Sequence, residues 1–333
     1  MGVALRDILQ DYKKPVGWDE LSGSCAVDGN NALYQFLTTI RQPDGTPLMD
    51  SHGRVTSHLS GLFFRVSNFL ENGMRPVFIF DGKPPEFKSG TLDGRRELKK
   101  KAEAAYKEAV MVGDTKEAFR QARSATKVDS EIIESSKKLL SLMGIPFMDA
   151  PSEGEAQASV MAAKGDVQYS VSQDYDSLLF GAPRLVRNMT VSRKRKVRGR
   201  TITVSPEKII LSEVLSGLGL SRENLIEIGI LIGTDFNEGF RGIGAKTALK
   251  IVREGKYNEY ISEKKPESDF GHVKEFFLNP PFEGGYDLKW KSCDNDGVID
   301  YLCGEYEFSR GRIDPLLDKL NQKKGQKTLE QWF

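Results

Sequence analysis

Three short apolar segments of the chain each end in an aspartate. They are SCAVD (24–28), RPVFIFD (75–81) and VQYSVSQD (167–174). Continuous apolar runs of this length, separated by helical stretches, are typical of strands in a parallel sheet that is buried on both faces. The pattern predicts an α/β protein with a central, mostly parallel sheet flanked by helices.

Acidic residues gather where these strands are predicted to end. Ligands of open α/β sheets bind at the carboxyl ends of the strands, so Asp28, Asp81 and Asp174 should share one edge. Asp176 lies two residues after Asp174, and Asp235 follows the apolar stretch LIEIGILIGTD. A single such aspartate is usually a turn residue or a helix cap. Several together repel one another unless cations neutralise them, and two divalent ions about 3.5–4 Å apart would do so, as in enzymes that cleave phosphodiesters.

Two further acids lie in the stretch APSEGEAQASVMAAKG (150–165). One interpretation is local: Ser152 and Glu155 have the spacing of a capping box at the start of a helix that Gly165 ends. The other interpretation makes Glu153 and Glu155 ligands of the same ions. Residues i and i+2 do not share a helix face, so both could reach the ions only if the helix begins beside them. We favour the ligand interpretation.

Composition narrows the kind of site that is possible. A length of 333 residues suits one large α/β body or two lobes. Its 48 basic and 47 acidic side chains are an ordinary charge content for a globular protein. Only three histidines and three cysteines are present, with no C-x-x-C spacing, so oxygen ligands must carry any metal chemistry. That favours Mg²⁺, or Mn²⁺ in its place. No apolar run is long enough to span a membrane, and the N-terminus lacks the apolar core of a secretory signal.

Two basic segments are candidates for contact with nucleic acid. Residues 83–127 hold 12 basic and 7 acidic residues and follow Asp81 almost directly. Within them Lys88 and Arg95 are seven apart, on one helical face, and could grip the phosphate that is cut. Residues 184–200 hold eight basic residues and no acids in a hairpin-like context. A solvated charged surface is the plainer interpretation of either segment.

A glycine-rich turn and the end of the chain carry further signals. In GFRGIGAKTALKIV (239–252) the glycines permit close approach of a phosphate backbone, and a helix N-terminus supplies N–H groups. Its candidate DNA contacts are Gly242, Gly244, Lys246 and Thr247. The final QKTLEQWF follows the pattern Q-x-x-h-x-x-a-a, which can insert aromatic anchors into a partner's pocket. Those candidate anchors are Gln326, Leu329, Trp332 and Phe333.

Taken together, these motifs resemble the flap endonucleases, structure-specific 5′ nucleases of DNA replication and repair. The resemblance rests on AVDGNNALYQFL, VFIFDGKPPEFKSG, APSEGEAQA, SQDYDSLLFG, IGTDFNEGFRGIGAKTA and QKTLEQWF, in family order from residue 26 to the last residue. The short length, with the chain stopping at the clamp-binding pattern, looks archaeal.

The resemblance implies a function and a role for each site residue. The chain would cut 5′ flaps at junctions of single- and double-stranded DNA, with 5′-3′ exonuclease activity, in Okazaki fragment maturation and base-excision repair. Lys88 and Arg95 would serve in a helical arch through which the flap passes, and Tyr34 would stack on a base near the cut. Two Mg²⁺ ions would be held by seven carboxylates, namely Asp28, Asp81, Glu153, Glu155, Asp174, Asp176 and Asp235.

The resemblance also implies an organisation and partners. Residues 1–100 would form an N-terminal nuclease region, 101–258 the arch and internal nuclease region with a helix-turn-helix, 259–325 a C-terminal helical region and 326–333 a sliding-clamp-binding tail. The protein would be a cytoplasmic, nucleoid-associated monomer that binds branched DNA and the sliding clamp (PCNA).

Two alternatives remain open at this point. A non-catalytic DNA-binding clamp adaptor would share the basic segments and the tail but would not need seven acids at these positions. A related 5′ exonuclease or junction resolvase would share the metals. The length of the arch segment and the tail argue moderately against it.

Overall fold

The computed structural model describes most of the chain. The described residues are 2–42, 44–190, 194–197, 200–265 and 269–330. Within these ranges, only the backbone is described for residues 89–96, 194–197, 200–203 and 322–330.

A seven-stranded sheet forms the centre of the molecule, in the order β1-β9-β6-β5-β2-β3-β4. The four pairings among β6, β5, β2, β3 and β4 are parallel, whereas β9 pairs antiparallel with both β6 and β1. A separate antiparallel pair of β7 and β8 contains the latter part of the basic segment 184–200, whose first four residues form β6 of the central sheet. The predicted mostly parallel sheet is confirmed. The strands are β1 Lys14–Pro15, β2 Gly23–Asp28, β3 Met74–Phe80, β4 Phe147–Asp149, β5 Tyr169–Val171, β6 Arg184–Arg187, β7 Lys194–Val197, β8 Arg200–Thr203 and β9 Glu207–Ile210.

Helices cover the sheet and extend beyond it. Short 3₁₀ turns lie at Gln10–Tyr12 and Glu86–Lys88, and a π-helical turn lies at Asp300–Glu305. None of the described helices is long and apolar enough to cross a bilayer. The α-helices are α1 Gly29–Thr39, α2 Ser57–Glu71, α3 Ser89–Met111, α4 Thr115–Ser124, α5 Ser130–Leu142, α6 Gly154–Lys164, α7 Asp176–Leu179, α8 Leu211–Leu218, α9 Arg222–Ile232, α10 Ala245–Arg253, α11 Tyr257–Lys264, α12 Gly271–Leu278, α13 Asn295–Ile299 and α14 Arg310–Glu330.

The central strand β2 shows why its sequence is apolar throughout. Cys25 and Val27 point into the core formed with α1 and α2, whereas Ala26 points to the opposite face and packs with Ala158 and Met161 of α6. All five are essentially inaccessible to solvent. A strand covered on both faces has no polar side, so its sequence is a continuous apolar run rather than an alternating one.

Two helical additions match the predicted arch and helix-turn-helix. Helices α3 and α4 pack against each other and form the arch above one edge of the sheet. Helices α9 and α10, joined by the glycine-rich turn, form the helix-turn-helix. Helix α3 runs continuously through the predicted region boundary between residues 100 and 101, and α14 extends through residues 326–330 of the predicted tail.

Candidate active site

A cleft of about 930 Å³ lies between the carboxyl edge of the sheet and the arch. Its walls contain all seven acids predicted from the sequence, together with Tyr34 and Lys88. No histidine or cysteine is among the described residues that line it. The donor set is therefore made of oxygen atoms, which suits Mg²⁺ and Mn²⁺.

Strand ends and the N-termini of neighbouring helices position the first two carboxylates. Asp28 is the last residue of β2 and caps α1, accepting a hydrogen bond from the Asn31 backbone N–H at 2.9 Å. Asp81 follows β3 and accepts a hydrogen bond at 2.8 Å from the N–H of Gly154, the first residue of α6. A Cβ on Gly154 would lie 3.0 Å from the Ile79 carbonyl oxygen, so glycine allows the close approach of α6 to this strand without displacing the strand.

Helix α6 supplies Glu153 and Glu155, and the predicted capping box does not form. The helix begins at Gly154 with Glu153 at the N-cap, and no side chain caps it. The buried Ser152 hydroxyl has no hydrogen-bond partner among the described residues. Glu155 turns away from Ser152 and accepts hydrogen bonds from the backbone N–H and hydroxyl of Ser177. The helix starts beside both glutamates, as the ligand interpretation requires, and ends at Gly165 in a left-handed conformation (φ 85°).

The remaining three carboxylates lie in loops or at the start of a short helix. Asp174 accepts a hydrogen bond from the Asn31 side-chain amide at 2.9 Å. Asp176 begins α7, is 5% exposed, and accepts a hydrogen bond from the Val3 N–H at 2.7 Å. Asp235 lies in the turn between α9 and α10.

Proximity and burial raise several carboxyl pKa values in this cleft. Burial, followed by the charge of Asp81, raises the pKa of Asp28 well above its usual range. Burial and then Asp176 do the same to the pKa of Glu155. Burial, with the charges of Asp174 and Asp235 adding to it, raises the pKa of Asp176 to about 7 despite the Val3 hydrogen bond. Burial first, and then repulsion between the carboxylates, therefore disfavour the charged forms, and a bound cation would offset both.

Lys88 is a cation that pairs directly with this acidic group. It ends the 3₁₀ turn just before α3, with only 8% of the residue exposed. Its ammonium lies 2.6 Å from Glu153 and 4.0 Å from Asp235. Burial disfavours the charge, but the carboxylates outweigh it, above all Glu153, and raise the pKa of Lys88.

The prediction that Lys88 and Arg95 share one helical face needs a correction at its first residue. The helix starts after Lys88, because residues 86–88 form a tighter 3₁₀ turn. Arg95 lies in α3, but its side chain is outside the described residues.

A metal ion would have to replace protein contacts in this cleft. Among the described residues, no three carboxylate, imidazole or thiol groups are arranged to enclose a single ion. The carboxylates instead accept hydrogen bonds from Asn31, Gly154, Ser177 and Val3, or pair with Lys88. The composition of the site fits divalent ions, and the side chains would need to reorient to hold them.

The structure also gives positions for several of the other predicted site residues. Tyr34 is 40% exposed on the cleft wall. Gly242 adopts a positive φ of 82°, and Gly244 is the N-cap of α10, so Lys246 and Thr247 lie in the first turn of that helix. For the tail, Gln326 and Leu329 have only their backbone described, and Trp332 and Phe333 are outside the described residues.

Three polar residues of the site were missed by sequence reasoning. The side chains of Asn31 and Ser177 bind Asp174 and Glu155, and the Asn30 side-chain oxygen accepts a hydrogen bond from the Asp81 N–H at 3.1 Å. A usable signal existed, because Asn30 and Asn31 lie two and three residues after Asp28 and Ser177 directly follows Asp176.

Comparisons with known proteins place the chain among nucleases. The XPG N-terminal domain matches residues 1–102 and the XPG I-region matches residues 144–235. The chain is 60% identical to flap endonuclease 1 of Methanoregula boonei, over the whole of both chains. It is similar in structure to the flap endonuclease-1 of Methanococcus jannaschii, with 42% identity, a TM-score of 0.76, and coverage of 96% of this chain and 99% of that one. The catalytic core of Rad2 in complex with a DNA substrate shares the fold at 23% identity and a TM-score of 0.71, with coverage of 96% and 100%.

Proposed function

The chain belongs to the flap endonuclease 1 family, and we propose that it hydrolyses the phosphodiester with two Mg²⁺ ions. As a member of that family it is a metal-dependent, structure-specific 5′ flap nuclease that binds DNA. The products are a 5′-phosphate and a 3′-hydroxyl. One observation carries this proposal: seven carboxylates from five separate segments of the chain line one cleft. Mn²⁺ would serve in place of Mg²⁺, since both prefer oxygen ligands.

The carboxylates would hold the ions. When bound, the ions supply positive charge that makes the attacking water more acidic and offsets charge on the leaving oxygen. The protein's own contribution is to gather the oxygen ligands in one cleft, where Asn31, Gly154 and Ser177 bind three of them in the metal-free protein, and to keep Lys88 inside that cleft.

Basic and aromatic side chains would engage the DNA. Lys88 would leave Glu153 and contact the scissile phosphate, joined by Arg95 from α3, so both contacts would strengthen as negative charge develops. Tyr34 would stack on a base beside the cut while the 5′ strand passes beneath the arch. Gly242, Gly244, Lys246 and Thr247 would hold the duplex backbone at the N-terminus of α10.

The chain's partners and location complete the proposal. The segment 326–333 would bind the sliding clamp through Trp332 and Phe333, with Gln326 and Leu329 assisting. The enzyme would act as a monomer beside the nucleoid in the cytoplasm, in Okazaki fragment maturation and base-excision repair.

Cleavage of a labelled flap duplex tests the metal site. Wild type should cut the duplex in Mg²⁺ or Mn²⁺ and not in EDTA. Asp174→Asn and Asp81→Asn should abolish cleavage while DNA binding survives, because each removes a ligand but lessens repulsion toward phosphate. Asp300→Asn, an exposed aspartate outside the cleft, is the matched control. Near-normal turnover by both cleft variants at saturating Mg²⁺ would contradict the two-ion proposal.

A further inference from the structure

A second, smaller cavity of about 340 Å³ opens beside the catalytic cleft. It lies between one face of α1 and one face of α4, and we call it the side pocket. It shares Tyr34, Thr38 and Ser124 with the cleft, so the two spaces are contiguous. Its lining is Tyr34, Thr38, Phe119, Arg120, Arg123 and Ser124.

The chemistry of the side pocket is the reverse of the acidic cleft. Two aromatic rings, two hydroxyls and two guanidinium groups line it, and no described carboxylate does. Among the described side chains, neither Tyr34 nor Phe119 stacks on another aromatic ring. A flat aromatic ligand with a negative charge would therefore meet a complementary surface.

The positive charge in the side pocket is only partly compensated. Arg120 pairs with Glu117 at 2.6 Å, outside the lining. For Arg123 no ion pair with a carboxylate exists among the residues that the structure describes. Arg41 is not part of the lining, but its guanidinium lies close enough to Arg123 that its pKa is lowered by burial and then by the charge of Arg123. Two neighbouring guanidinium groups without a shared counter-ion favour an anion between or beside them.

The position of α4 that creates the pocket is fixed by close packing. A Cβ on Gly45, which has a φ of +89°, would lie 2.6 Å from the Cα of Phe119, so α4 rests directly on the loop after α1. Arg41 links the same parts, donating hydrogen bonds to the Gly45 carbonyl oxygen at 2.6 Å and the Thr126 hydroxyl at 2.5 Å. The pocket is thus built by the fold and is not a gap between loosely placed helices.

We propose that the side pocket binds one unpaired nucleotide of the 5′ strand, with its base against Tyr34 and Phe119 and its phosphate at Arg123. The inference rests on the proposed passage of that strand beneath the arch, because the shared wall lets a strand enter the pocket from the cleft. The cavity volume is at the lower end for ligand sites, which suits a single nucleotide. Recognition would be tolerant of sequence, since every base offers a ring face and a phosphate.

Single-turnover cleavage in Mg²⁺, at rising enzyme concentration, separates half-saturation from the maximal rate and tests the proposal. One flap nucleotide at a time is replaced by an abasic unit. In wild type, one abasic position should raise the half-saturating concentration about tenfold, the effect of losing one stacked base. Phe119→Leu should raise the half-saturating concentration on every flap, and an abasic unit at the sensitive position should then have no further effect. The maximal rate should stay the same.

Controls separate the side pocket from general loss of charge or folding. Arg123→Ala should raise the half-saturating concentration for flap substrates about tenfold. It should leave that concentration unchanged for a nicked duplex, which has no unpaired 5′ nucleotide. Lys116→Ala removes a charge from the same helix outside the pocket and should not discriminate between the two substrates. Leucine retains contact with Gly45, and thermal unfolding of each variant verifies that α4 is in place.

Three results would overturn the proposal: no abasic position affects wild type, Phe119→Leu keeps the full positional response, or Arg123→Ala weakens nicked and flapped duplexes equally. Cleavage by wild type in Mg²⁺ is measured in the same reactions. If wild type shows no positional response but still cleaves, the side pocket alone is rejected, whereas absence of cleavage by wild type would reject the proposed function.

Discussion

Replacing Asp176 by asparagine should stabilise the metal-free protein while destroying the metal site. Asp176 is 5% exposed and lies among other carboxylates, and its pKa is raised from 3.8 to about 7. Asparagine keeps an oxygen that can accept the Val3 hydrogen bond and removes the charge. The difference of about 3 units at 1.36 kcal/mol each sets an upper limit of about 4 kcal/mol on the gain.

The sign of the pH dependence follows from the raised pKa. An acid that binds its proton more tightly in the folded state destabilises the fold only once it ionises. The unfavourable contribution of Asp176 is therefore absent below about pH 4, grows as pH rises, and is complete above about pH 7. The stability difference between variant and wild type should grow over the same range.

Calorimetric unfolding in EDTA at pH 8.5 and pH 5 measures this difference. With an unfolding entropy of ~2.1 cal/mol/K per residue, a gain of about 2–4 kcal/mol raises Tm by about 3–6 °C at pH 8.5. At pH 5 the gain should be clearly smaller, and Asp300→Asn should show neither effect. Mg²⁺ should raise the Tm of wild type more than that of the variant, because it neutralises a repulsion that asparagine already lacks. An unchanged or lower Tm for the variant at pH 8.5 would refute the mutual repulsion on which the metal site is argued.

Three further predictions concern other parts of the molecule. Burial lowers the pKa of His58 to about 4 against the opposing charge of Asp129. The free energy of unfolding in denaturant should therefore fall by up to about 3 kcal/mol as pH drops from about 6.5 to 4, and His58→Gln should remove this pH dependence. Gly239→Ala should destabilise the helix-turn-helix by about 1–3 kcal/mol in denaturant unfolding, since a Cβ there would lie 2.0 Å from a backbone carbonyl oxygen. Gly244→Ala has open space around it and loses only the glycine preference of an N-cap, so it should cost less, about 1 kcal/mol or below. Trp332→Ala combined with Phe333→Ala should weaken calorimetric binding to the sliding clamp by about two to three decades, and equal affinities would exclude the tail as the binding segment.

The parts of the fold that could be predicted from the sequence are those that depend on the local pattern of apolar residues and glycines. The runs ending at Asp28 and Asp81 are strands because a doubly covered strand has no polar side, and the order of these ends along one sheet edge follows from parallel pairing. Gly165 ended its helix as expected, since glycine readily adopts a positive φ.

The parts that sequence could not predict depend on contacts between distant residues. Ser152 and Glu155 have the spacing of a capping box, but Ser177, 22 residues beyond Glu155, binds that carboxylate instead. The side pocket likewise arises because Gly45 lets α4 approach α1, and neither segment alone indicates it. Such pairings carry no periodic signal and are decided only when the chain is packed.

The ion pair between Lys88 and Glu153 also has a thermodynamic consequence. One side chain that is proposed to contact the phosphate is held by another that is proposed to hold a metal ion. An ion that takes Glu153 frees the ammonium for the DNA, and DNA that takes the ammonium frees Glu153 for the ion. Each ligand would thus raise the equilibrium affinity of the other by the same factor, because coupling free energies are reciprocal. A single ion pair of the ligand-free protein would in this way make the binding of cation and DNA positively cooperative.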